Sequence, residues 1–149
     1  MTRLRILVIC LVAASCAPGR PKPAALDTRN DLCASCRMPV SAQRFASQVV
    51  APGEDPLFFD DLGCLVSYLD QHPALPGGSV AYVADHRSGD WVAATAAVFT
   101  RSPGVATPMG SHLLAHASDE SRRNDPAAQG GAEVSPEALL SRPFPDGAR

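Results

Sequence analysis

The sequence predicts an α+β fold of two similar small halves, each made of a few strands plus a helix. Short apolar runs of strand length recur along the chain, and stretches with helical spacing and cap residues interrupt them. Pro/Gly turn signals divide the whole into two comparable rounds, strand–strand–helix and then strand–strand–strand–helix. Only 5% of the 149 residues are aromatic, so the core has to be built mainly from Val, Leu and Ala.

The first strand is expected within Val40 to Val50, where Val40, Ala42, Phe45, Val49 and Val50 precede the Pro52-Gly53 turn. Leu57-Phe58-Phe59 supplies a second, short strand, with both Phe residues in the core. Asp60 or Asp61 then caps a helix whose apolar face is Leu62, Leu65, Val66 and Leu69, ending near His72-Pro73. Pro76-Gly77-Gly78 turns the chain into a strand over Val80 to Ala84, and Trp91 to Thr100 reads as another. After the Ser102-Pro103-Gly104 turn, Leu113 to Ala117 is a further strand. Ser118 with Asp119 and Glu120 starts a helix that carries Arg122 and Arg123, is shortened by Pro126 and ends at Gly130-Gly131. Ser135-Pro136-Glu137 opens a last short helix through Leu140, with Ser as cap and Pro in the first turn.

The N-terminus predicts export. Arg3 and Arg5 precede an apolar run from Ile6 to Ala14 that closes on small residues and Cys16, the pattern of a secretory signal and too short for a mature membrane span. Val12-Ala13-Ala14-Ser15-Cys16 resembles a bacterial lipobox, which makes Cys16 the lipidated first residue of the mature chain. Ala17 after the cysteine favours the outer membrane. The resulting plan is a signal over residues 1–15, a lipidated terminus and flexible tether over 16–30, a domain over 31–142 and a loose tail over 143–149. A formal net charge of −2 gives no basic surface for nucleic acid. The membrane is met through the lipid, on the periplasmic side.

Export to an oxidising compartment leaves Cys33, Cys36 and Cys64, an odd number of thiols that must be protected or used. Cys33-Ala34-Ser35-Cys36-Arg37-Met38 puts two thiols and a thioether within six residues. Soft sulfur donors select copper(I), and methionine discriminates against zinc. If Met38 opens a strand, Cys36 and Met38 project to one side and can share an ion. A haem attachment would need His in place of Arg37, and a structural zinc site a second Cys pair. A Cys33–Cys36 disulfide or thiol–disulfide oxidoreductase pair stays open. Met109 lies in Thr107-Pro108-Met109-Gly110-Ser111, a turn context that presents its side chain. His112 and His116 follow closely and could add nitrogen ligands. Cys64, among Leu62, Leu65 and Val66, reads as a small buried thiol. Asp60, Asp61 and Asp85 read as caps or turn residues; no paired carboxylates, phosphate loop or nucleophile elbow points to an enzyme.

Taken in order, Cys16, Cys33-x-x-Cys36-x-Met38, Phe59-Asp60-Asp61-Leu62-Gly63-Cys64, Asp85 with Trp91 and the alanine-rich strand, Thr107-Pro108-Met109-Gly110-Ser111, and Gly130-Gly131 with the Pro136 to Leu140 helix resemble the NosL family. The resemblance implies a NosL-like α+β fold, a copper(I) site and delivery of copper for maturation of nitrous oxide reductase. The reductase is then the expected recipient, with accessory ABC-transporter components as further partners. It places the sulfur ligands at Cys36, Met38 and Met109, with Cys33 and His112 as further candidates. Two departures stand out: Arg37 replaces a usual glycine, and His112 and His116 replace a small and an aromatic residue.

Overall fold

The computed structural model describes residues 19–140 and 143–147, so Cys16 and the signal lie outside the described residues. Among those residues no helix is long and apolar enough to cross a membrane. Two antiparallel sheets form the frame. One has four strands: β1 (Ser47–Val50), β2 (Leu57–Phe59), β3 (Val80–Ala84) and β4 (Trp91–Ala93), in the order β2-β1-β3-β4. The other has three: β5 (Val98–Arg101), β6 (Leu113–His116) and β7 (Ala132–Val134), in the order β6-β5-β7. The expected α+β architecture of two halves is thus present.

The seam between the halves differs from the expected one. The apolar run from Trp91 to Thr100 is not one strand: a single 3-10 turn at Ala94–Ala96 breaks it, leaving β4 on β3 and β5 between β6 and β7. Small alanines permit the turn, and Ala94 is wholly buried at it. The first strand is likewise shorter than Val40 to Val50, because a 3-10 turn at Gln43–Phe45 precedes β1. β7 was not anticipated; its Ala132 and Glu133 are exposed, so it carries no apolar alternation.

Among the described residues, three α-helices cover the sheets. In α1 (Leu62–Gln71), Asp61 is the cap, accepting from the Gly63 N–H at 2.6 Å, and Leu62, Cys64, Leu65 and Leu69 are buried. α2 (Asp119–Arg123) is capped by Ser118, and α3 (Pro136–Leu139) by Ser135, as their sequences predict. One core joins both halves, with Val40, Val49, Phe59, Leu65, Val83, Phe99 and Leu113 in a single cluster.

Both predicted loose ends are docked over their described parts. The tether is held from Pro21 onward: the Tyr82 hydroxyl donates to the Pro21 carbonyl, and the buried Gln48 amide makes two bonds to the Ala24 backbone, at 2.8 and 3.2 Å. In the tail, Phe144 is buried and stacks on Phe99 at 5.6 Å. Ala81 N–H donates to Pro145 C=O (2.8 Å) and Gly147 N–H to Ser79 C=O (2.7 Å). β4 pairs only with Tyr82 to Ala84, so the tail fills the part of the β3 edge that β4 does not reach. Proline-rich composition signals poor helix and strand formation, and such a segment can still find backbone partners.

Candidate metal centre

Three segments converge at the N-terminus of α1. The first is the 33–38 loop. Its Cys33 N–H donates to Met38 C=O (2.8 Å) and its Arg37 N–H to Cys33 C=O (2.9 Å), closing a tight turn. Arg37 has φ of 67°, the left-handed region where glycine costs least. Met38 therefore does not open a strand; the turn, and not strand alternation, sets where Cys36 and Met38 lie. An Ala34 N–H to Phe58 C=O bond of 2.8 Å fastens the loop to β2.

The second segment is the β2–α1 junction. Cys36 Sγ lies 3.4 Å from Asp60 Oδ1, and the Cys36 N–H donates to Cys33 Sγ at 3.5 Å. With Cys64 from the first turn of α1, ligand atoms of Cys33, Cys36, Asp60 and Cys64 all lie within 4.8 Å of one another. All three thiols are free, so Cys33 and Cys36 do not form the disulfide that the sequence left open. Burial pushes the Cys36 thiol up, and neighbouring Cys33 and Asp60 add to this against one favourable backbone bond. Cys64 is raised further, again by burial first, then by Cys33, Asp60 and Cys36. A catalytic redox pair needs a depressed thiol pKa, which Cys36 does not have. A soft cation among these sulfurs would instead relieve the crowding by replacing protons.

The third segment is the 107–111 loop. Asp61 Oδ2 accepts from Thr107 Oγ1 (2.7 Å) and from the Met109 N–H (2.9 Å), so the helix cap also fixes the methionine loop. Burial raises the Asp61 carboxyl, but the bonds from Ser111, Thr107, Met109 and Gly63 outweigh it and hold the group below its ordinary value. The fit is close: a Cβ on Gly63 would stand 2.9 Å from Ser111 Cβ. Met38 is 56% and Met109 50% exposed, unusual for thioethers and in contrast to the fully buried Cys33.

His112 does not join the sulfur cluster. Its ring Nδ1 is 2.8 Å from Val105 C=O, and its backbone is left-handed at φ 59°. His116 belongs to a second cluster. Asp125 Oδ2 lies 2.6 Å from His86 Nδ1 and 3.0 Å from His116 Nε2, with all three residues buried. Burial raises the Asp125 carboxyl, and the bonds from His116, His86 and the Ala127 N–H prevail and lower it. Asp85 is a turn residue, as predicted, and more: it accepts from Arg87, Ser88 and Ala117 N–H groups and from Ser121 Oγ. Those bonds overcome burial and set its carboxyl at about 2.

Sequence reasoning missed Asp60 as a neighbour of sulfur; Cys64 is the buried core thiol it expected and also stands beside Cys33 and Cys36. The hint was their shared place in Phe59-Asp60-Asp61-Leu62-Gly63-Cys64, where cap and thiol fall on one helical turn. His86 and Asp125 carried no local signal. In comparison with known proteins, the family model described as NosL matches residues 23–139. No curated protein and no solved structure matches the chain.

Proposed function

Because the chain belongs to the NosL family, a family of copper-binding accessory proteins, we propose that it carries one copper(I) ion on sulfur and delivers it for maturation of nitrous oxide reductase. Cys36 is the central thiolate, Met38 and Met109 are the exposed thioether ligands, and Cys33 is a further thiol. Cys64 and Asp60 stand against the same group. One observation carries this reading: neighbouring Asp60 and Asp61 hold the Cys36 thiol and the Met109 backbone at one helix end. Sulfur-bearing segments 73 residues apart in sequence are thereby fastened to the same end of α1, which supports a shared ion. Ligands graded from buried thiol to exposed thioether suit a carrier, since a recipient can replace the outer sulfurs one at a time.

The proposal includes Cys16 as the lipid-bearing residue, a periplasmic location at the outer membrane, and transporter components as further partners. Its test is anaerobic titration of the lipid-free chain with copper(I) against a competing chelator. About one tightly held ion per chain is expected, with Cys36→Ser and Met109→Leu each weakening it. Unaltered affinity in both variants would rule out the site. Delivery is tested by mixing the loaded chain with copper-free reductase and following the metal; copper that stays on the donor refutes the carrier role.

A further inference from the structure

We propose that His86, His116 and Asp125 form a second metal site, free of sulfur, that takes a divalent borderline ion, copper(II) before zinc(II). Two imidazoles and one carboxylate make a donor set that copper(I) disfavours and that copper(II) heads in the usual order of affinities. Their ligand atoms lie within 4.8 Å of one another and come from three separate elements. His86 follows β3, His116 ends β6, and Asp125 caps the 3-10 turn at Pro126–Ala128.

Two of the three ligands are oriented from outside the cluster. Asp125 Oδ1 is held by the Ala127 N–H at 2.9 Å. The His86 N–H donates to Ala115 C=O at 2.8 Å, and its ring lies 5.2 Å from that of Phe45. An entry route exists, because His86 also lines an open cleft of about 450 Å³ with Gln43, Arg44 and Gly89.

The distinguishing observation is His116 Nδ1, fully buried and without a hydrogen-bond partner among the described residues. No neighbour therefore fixes the tautomer of this ring, and its proton can shift to Nδ1 on metal entry without breaking another hydrogen bond. The protons now shared between Asp125 and the two rings move to the far nitrogens, which for His116 is Nδ1, and the near nitrogens and Asp125 Oδ2 take the ion. No proton need leave and no redox step occurs. Ligand atoms about 2.0 Å from the ion stand about 2.8 Å apart in the tetragonal geometry of copper(II) and about 3.3 Å apart in the tetrahedral geometry of zinc(II), so the His86 contact must open by about 0.2 Å for copper(II), and the two N···O contacts by about 0.3 and 0.7 Å for zinc(II). Carboxylate rotation can supply that.

The test uses the chain from residue 16 with Cys16, Cys33, Cys36 and Cys64 changed to Ser, which removes the sulfur site and isolates the second one. Copper(II) should bind at one ion per chain with an electron paramagnetic resonance spectrum split by two nitrogens. His116→Gln should weaken it at least about tenfold and reduce the splitting to that of one nitrogen. His72→Gln and His112→Gln should leave both unchanged. If the thiol-free chain does not fold, the same titration is run on the Cys-intact chain with its thiols capped by silver(I). Absence of saturable binding, or an unchanged spectrum in His116→Gln, overturns the site. So does a lower melting temperature in His116→Gln when the parent binds no copper(II), since the cluster is then a structural bond network.

Discussion

The sulfur cluster and the histidine cluster each draw on both halves of one small molecule and differ most in how they meet solvent. Among the proposed sulfur ligands, exposure runs from fully buried Cys33 to half-exposed Met38 and Met109. Around Asp125, every donor is buried. The sulfur segments are loops, one fastened to β2 and the other to the α1 cap, whereas His116 ends β6, His86 lies in the turn after β3 and Asp125 caps a 3-10 turn. Exposed donors can be exchanged by an approaching partner; enclosed donors are held by the fold itself.

Four variants can break or sharpen this contrast. Cys36→Ser should produce the largest effect, lowering copper(I) affinity by at least about a hundredfold in a chelator competition while leaving the melting temperature nearly unchanged. A large fall in stability would show that the sulfur loop is part of the core after all. Asp85→Asn should do the opposite. The Asp85 carboxyl sits at about 2 when folded against 3.8 as its ordinary value. A depressed carboxylate contributes stability that is complete above the unfolded value and is lost as pH falls through the folded one. The variant should therefore be about 2 kcal/mol less stable in denaturant titrations at pH 7, and the gap should close between about pH 4 and pH 2. Copper(I) binding should not move.

Gly63→Ala changes no ligand. Its Cβ meets Ser111 Cβ at 2.9 Å, so the 107–111 loop must lift from α1 and carry Met109 with it. Copper(I) affinity should drop about tenfold, as for a supporting residue around a metal, although alanine is the better helix former. Equal affinity would mean that Met109 does not depend on its Asp61 tether. The smallest effect is expected for Arg37→Gly, which relieves a left-handed arginine at φ 67° and should raise stability by about 1 kcal/mol in thermal or chemical unfolding.

Elements with strong local signals were readable: α1 from its Asp61 cap and apolar stripe, β3 from its run of five buried residues, α3 from Ser135-Pro136. The misreadings share a cause. An apolar run such as Trp91 to Thr100 states that its residues are buried, yet a three-residue turn within it decides which sheet each part joins. Only packing of both halves around Ala94 settles that. At the site, Cys33, Cys36, Met38 and Met109 were visible as motifs. Asp60 was not, because its meeting with Cys36 depends on the 33–38 loop lying along β2, a contact spanning 24 residues. The His86–Asp125 contact spans 39 and left no trace in spacing at all.

The docked tail has a temporal consequence. β3 lies in the first half, yet the Ala81 N–H is satisfied by Pro145, 64 residues further along the chain. Because a chain emerges N-terminus first, the opening sheet must wait with an incomplete edge until residue 145 has appeared. A product stopped before that segment would be left with a raw strand for proteases or sister chains to find.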